Sequence, residues 1–175
     1  VRRDPLAPWL APRRAFGAAA FACLALIGWA LWLQYGQGEE PCPLCILQRA
    51  AVLALAVVFA VAAVRAPAGR ALRGHAAAAV GIALAGAGVA GWHLRLQHLP
   101  RDRVPECGPG LEFMLEQFPL VEVLGRVFRG SGECAEAGWR LLGLTIPGWT
   151  LLWFLGLAVL SIAVAARHGW ARADD

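Results

Sequence analysis

Four apolar runs, each about as long as a bilayer's hydrocarbon core is thick, constrain this chain more than anything else in it. They occupy residues 15–34, 43–64, 75–94 and 147–166. About twenty apolar residues span the core as a helix, and backbone N–H and C=O groups in hydrocarbon must be paired internally. The expectation is therefore an all-α membrane protein, a four-transmembrane-helix bundle forming a single membrane domain over 1–175. Composition agrees: the chain is 59% hydrophobic and 16% charged, with a mean hydropathy of +0.57. The net charge is +4, and every one of the 16 basic residues is arginine. Those arginines are dispersed among the spans rather than gathered on one face, so no nucleic-acid partner is expected.

The arginines instead set the expected topology. Residues 1–14 carry Arg2, Arg3, Arg13 and Arg14, and the connection 65–74 carries Arg65, Arg70 and Arg73 without an acid. By the positive-inside rule both are cytoplasmic, as is the tail 167–175 with Arg167 and Arg172. The short loop 35–42 and the long loop 95–146 then lie on the other side, which in a bacterium with that orientation is the oxidising periplasm. The first run is too long for a signal-peptide core and reads as an uncleaved anchor. Trp29, Trp32 and Tyr35 crowd its outer end like an interfacial belt. Cys23, mid-span among apolar neighbours, reads as a packing residue. In the third run Ala77, Gly81, Ala85 and Gly88 are expected to form a ridge of small residues that lets a neighbouring helix approach.

The chemistry-bearing stretch is Pro41-Cys42-Pro43-Leu44-Cys45-Ile46-Leu47-Gln48-Arg49. Pro43 suits the first helical position, which puts Cys42 at the N-cap and Cys45 in the first turn. Unpaired N–H groups and the helix dipole at that end are expected to lower a thiol pKa. Arg49 follows Cys45 by four residues on the same face, and its guanidinium is expected to reach back toward the sulfur. An arginine one turn inside an apolar helix points to a function, stabilising a thiolate or a reduced quinone oxygen at the interface, with snorkelling to a headgroup as the alternative.

The long loop holds Cys107 and Cys134. Between them Leu111–Phe128 alternates apolar and charged residues around Pro119, the pattern of a short interfacial amphipathic helix, or two, rather than of a separate subdomain. A bond between Cys107 and Cys134 would stabilise the fold by about 3.5 kcal/mol on the chain-entropy argument, so a structural staple is reasonable there. A bond between Cys42 and Cys45 closes so small a ring that it constrains almost nothing, and reversible redox chemistry is the better reading. The cysteines, with His93 or His98, contain donors for zinc, but the second pair is spaced too widely for a ribbon knuckle, and no metal is expected. Ile46 takes the place of the histidine that covalent haem attachment requires.

Taken together, the P-C-x-L-C-x-x-x-R run, the four spans and the tract Gly130-Ser-Gly-Glu-Cys134-Ala-Glu-Ala-Gly-Trp139 followed by Leu-Gly-Leu-Thr-Ile-Pro147 resemble the DsbB family of bacterial inner-membrane oxidoreductases. The resemblance implies a relay. A DsbA-like periplasmic protein of thioredoxin fold attacks a Cys107–Cys134 disulfide through Cys107. Cys134 then exchanges with Cys42, and Cys45 faces a quinone, ubiquinone or menaquinone, with Arg49 as its electrostatic partner. It further implies His98 as a residue near the quinone. Gln48 stands where some relatives carry an acid, Pro43 stiffens the pair, and Arg95, Arg101 and Arg103 make the second loop's start basic. Two rivals remain at this point. A vitamin K epoxide reductase-like enzyme would place its loop cysteines before the C-x-x-C, the reverse of the order here. A non-enzymatic membrane protein with structural disulfides or a metal site would have thiols that resist exchange.

Overall fold

A computed structural model describes residues 11–104, 111–130, 132–135 and 139–168. Helices α1 (Pro12–Gln37), α2 (Pro43–Arg65) and α3 (Gly69–Gln97) are followed by a short 3-10 turn at Arg101–Arg103. Three short helices come next, α4 (Leu111–Gln117), α5 (Leu120–Arg129) and α6 (Gly132–Ala135), then a strand pair and α7 (Ile146–His168). Cys107 and the arginines at 2, 3 and 172 lie outside the described residues.

Among the described residues, α1, α2, α3 and α7 are long and apolar enough to cross a membrane, with mean hydropathies of 2.0, 2.4, 1.5 and 2.1 over their best windows. Helix α1 packs on α2, α2 on α3 and α3 on α7, and α7 returns to touch α1. The helices outrun the apolar runs at several ends. In α3, for example, Arg70, Arg73 and Arg95 are helical but flank the apolar centre. Prolines start the first two helices at N1, where a missing N–H costs nothing.

The bundle interior is built from aromatic and small residues. Phe16 of α1 stacks on Phe59 of α2 with centroids 5.7 Å apart, and Cys23 is buried beside them, as its apolar setting predicts. The outer surface is apolar too: Phe21, Leu24, Val57, Val64, Val159 and Ile162 are all exposed, the arrangement expected where the solvent is lipid. The expected small ridge is corrected in phase. Ala77, Gly81, Ala85 and Gly88 face outward, and the buried stripe of α3 is Ala76, Ala79, Ala83, Gly86, Ala87 and Ala90. Small residues surround this helix on all sides, so their spacing alone could not say which stripe is packed. At Gly86 an added Cβ would lie within 2.7 Å of three ring atoms of Phe154 on α7, so this glycine is where the two helices close.

Pro119 divides the amphipathic segment into α4 and α5, as its lack of an N–H dictates. Met114, Val123 and Val127 turn inward, while Phe113, Leu115, Leu120, Val121 and Phe128 remain exposed, the two-faced arrangement of helices at a membrane surface. One feature was not expected from the sequence, an antiparallel pair of two-residue strands, β1 (Arg140–Leu141) and β2 (Leu144–Thr145). Leu142 and Gly143 turn between them with φ of 51° and 82°, the doubly positive pattern of a tight hairpin. Thr145 Oγ1 donates to Gln97 Oε1 at 2.8 Å, and Trp149 Nε1 donates to the Leu141 carbonyl at 3.1 Å. These bonds fasten the hairpin to the ends of α3 and α7.

Candidate redox site

Cys42 is the N-cap of α2, extended at φ −64° and ψ 162°, and Pro43 occupies N1. That placement brings the two sulfurs together at once. Cys42 S–H donates to Cys45 Sγ at 2.9 Å, and Cys45 N–H donates back to Cys42 Sγ at 3.3 Å. Cys134, carried in by α6, is fully buried and hydrogen-bonds Cys42. Leu44, Leu96, Met114, Val123 and Val127 close an apolar shell around Cys42 and Cys134. Cys45 is only half-buried. Of the three cysteines it alone is not fully buried.

Gly130 makes this convergence possible. Its φ is +83°, and an added Cβ there would collide with Leu96 Cδ1. The backbone can therefore cross the end of α3 closely enough to bury Cys134 only where no side chain stands in the way.

The expectation that the helix N-terminus lowers the Cys42 pKa is corrected. The hydrogen bond with Cys134 does pull it down, but the hydrogen bond with Cys45, burial and the charge of Cys45 outweigh that, and the thiol is pushed up to about 12. Pro43 contributes no N–H at N1, and the backbone N–H that does reach this sulfur, from Cys45 at 3.3 Å, is too little to offset the loss of water.

Arg49 also departs from the expected direction. Its guanidinium donates to Gln34 Oε1 and, at 3.1 Å, to the Ala30 carbonyl, both on α1. It remains near enough to interact electrostatically with Cys45, but its hydrogen bonds run sideways into the helix seam. His98 does not join the cluster. It is exposed, caps the end of α3, and donates from Nδ1 to the Leu94 carbonyl at 2.7 Å.

Two residues named from the sequence only in passing, His93 as a possible zinc donor and Gln48 as the neighbour of Arg49, lie at the centre of the site. His93 and Gln48 are 2% and 4% exposed, and Gln48 Nε2 lies 3.1 Å from His93 Nδ1. His93 Nε2 lies 3.8 Å from Cys42 Sγ, and the backbone of Cys134 hydrogen-bonds the ring. The signal for His93 was its register: Ala79, Ala83, Gly86, Ala90 and His93 share the buried stripe of α3. The ligand atoms of Cys42, Cys45 and His93 lie within 4.8 Å of one another, so soft-metal donors do converge. Tetrahedral zinc with Zn–S bonds of about 2.3 Å would hold two sulfurs about 3.8 Å apart. The 2.9 Å separation seen here suits two thiols poised to pair better than two ligands sharing an ion.

Comparison with known proteins is consistent across the chain. The family model "Disulfide bond formation protein DsbB" matches residues 12–164. Disulfide bond formation protein B of Nitrosococcus oceani is 50% identical over 160 residues, covering 91% of this chain and 95% of that protein. The Methylococcus capsulatus protein of the same name is 48% identical over 140 residues, covering 80% and 85%. That of Chromobacterium violaceum is 47% identical over 156 residues, covering 89% and 94%. With its four apolar helices and with Cys42, Cys45 and Cys134 gathered at one end of the bundle, the chain belongs to the DsbB family, membrane oxidoreductases that reoxidise DsbA with quinone.

Proposed function

We propose that the cysteine end of the bundle faces the periplasm of a bacterial inner membrane and passes electrons from a DsbA-like dithiol through two cysteine pairs to a membrane quinone. The arginines support this orientation: Arg13, Arg14, Arg65, Arg70, Arg73 and Arg167 all fall at the helix ends away from the cysteines. The observation that carries the relay is Cys134, brought from the second loop into hydrogen-bonding contact with Cys42.

The relay begins when the partner's thiolate opens a Cys107–Cys134 disulfide at Cys107, leaving Cys134 as a thiolate. Cys134 attacks Cys42 of the Cys42–Cys45 bond, forming Cys134–Cys42 and releasing Cys45 as the thiolate. The partner's second thiol then frees Cys107, which recovers Cys134 and releases Cys42 to close again on Cys45. Per cycle, two electrons and two protons leave the partner dithiol, and quinone, bound beside Cys45, accepts them to become quinol. The donor set suits such a ring. Cys45 is the half-exposed sulfur, and Gln34 and Ala30 engage the Arg49 guanidinium through two bonds, leaving further N–H groups for a carbonyl oxygen. DsbA is strongly oxidising, at about −120 mV, so its reoxidation requires a stronger acceptor; the DsbA–DsbB–quinone system is itself the general example of a compartment kept oxidising kinetically.

The test combines purified protein, a reduced DsbA-like partner and ubiquinone or menaquinone, and follows quinone absorbance. Cys42→Ser and Cys45→Ser should abolish quinone reduction. Cys107→Ser should block electron entry from the partner. A Cys107→Ser protein turning over at the wild-type rate would overturn the relay.

A further inference from the structure

We propose that Gln48 is a positioning residue: it fixes the tautomer of His93, and through it the ring holds the Cys134 segment against Cys42. The inference rests on the inter-loop exchange between Cys134 and Cys42 proposed above and adds the device that aligns it.

The geometry is a chain of three hydrogen-bonding groups from three elements. Gln48 on α2 presents its amide nitrogen to His93 Nδ1 at 3.1 Å. A ring nitrogen that accepts that N–H carries no proton, so the proton of the neutral imidazole sits on Nε2. Nε2 is the nitrogen 3.8 Å from Cys42 Sγ, and the ring also meets the backbone of Cys134. A protonated Nε2 can only donate, and the backbone group it can serve is the Cys134 carbonyl. The second loop is thus fastened to the first cysteine pair by one ring N–H whose position a neutral amide dictates. Both residues are almost wholly buried, where a mismatched donor or acceptor has no water to turn to.

Among the described residues, the titratable side chains facing the ring are the thiols of Cys42 and Cys45 at the start of α2, and Cys134 of α6 meets it through its backbone. Arg49 on α2 is directed to α1, Arg95 on α3 lies over the Trp92 ring, Glu133 on α6 is exposed, and Arg126 and Glu122 on α5 pair with each other. The pH behaviour of a Gln48→Glu variant therefore follows from the number of protons shared between the introduced carboxyl group and the His93 ring. With two protons on the pair, Nε2–H is retained. With one, the carboxylate draws the proton to Nδ1, and a bare Nε2 faces the carbonyl.

The test uses the full chain in detergent with Cys45→Ser and Cys107→Ser, so that Cys42 and Cys134 are the remaining loop thiols. The protein is equilibrated in glutathione redox buffers from pH 5 to 9, and the Cys42–Cys134 disulfide is quantified by peptide mass spectrometry. Gln48→Leu should lower the disulfide's equilibrium constant by about tenfold at every pH, the cost of an unsatisfied buried group. Gln48→Glu should match the Gln48 parent at the acid end and fall toward Gln48→Leu as pH rises. Variants that both match the parent throughout, or that both fall equally at every pH, would overturn the positioning role. Failure of the disulfide to form even in the Gln48 parent would instead overturn the inter-loop exchange.

Discussion

Arg49 donates a guanidinium N–H to the side-chain oxygen of Gln34, joining α2 to α1 just inside the redox end of the bundle. The bond matters because a half-buried cation in an apolar seam is costly without partners, and because it aims the charge along the helix boundary beside Cys45. Arg49→Ala should raise the KM for quinone by about 10- to 100-fold, the range of a lost charge-assisted hydrogen bond. Gln34→Leu should raise it less, since the cation remains. Steady-state quinone reduction at saturating partner concentration measures both.

Reduced Cys42 should be slow to alkylate. Its pKa is pushed well above the ordinary 9.0 by its hydrogen bond with Cys45 and by burial, so its thiolate share at pH 8 is small and climbs as pH rises. Its reaction with iodoacetamide should therefore still be rising at pH 10, where an unperturbed thiol has levelled off. Cys45→Ala removes the partner sulfur that helps keep the proton on Cys42 and should speed alkylation at pH 8. Mass spectrometry of the Cys42 peptide reads out both results.

Gly86 and Gly88, two residues apart on α3, should respond with opposite signs. Gly86→Ala drives a methyl into the Phe154 ring and should destabilise the bundle by about 1–3 kcal/mol. Gly88→Ala meets nothing within 4 Å and should stabilise it by roughly 0.5–1 kcal/mol through backbone entropy. Thermal unfolding in one detergent distinguishes them.

Leu142 holds a left-handed φ of 51° in the hairpin turn while 85% exposed. Its side chain packs little and its backbone is unfavourable, so Leu142→Gly should strengthen the hairpin by about 1 kcal/mol. Slower amide exchange at Leu141 and Leu144 would register the gain.

The four-helix architecture was legible in the sequence because the physics of a bilayer leaves few choices for runs of that length. The placement of Cys42 at the N-cap and Cys45 in the first turn was legible too, since Pro43 suits N1. Direction was harder to read. Arg49 could reach either the sulfur ahead of it or the helix beside it, and only the position of Gln34 on a neighbour decides. The place of His93 beside the cysteines was missed for a similar reason. Its inward register depends on which stripe of an Ala/Gly-rich helix is packed, and without bulky residues to mark the phase, the family resemblance was carried to His98 instead. The hairpin escaped because Leu142 is an unusual residue for its turn.

The unequal exposure of the three clustered cysteines has a consequence for leakage. Cys42 and Cys134 are sealed beneath the apolar shell, and Cys45 opens beside the helix seam. Small thiols dissolved in water have little access to the inner contacts, so reducing equivalents that enter the chain are shielded from short-circuit. If the proposed relay runs through these cysteines, the shell works as insulation around a conductor, bared at Cys45.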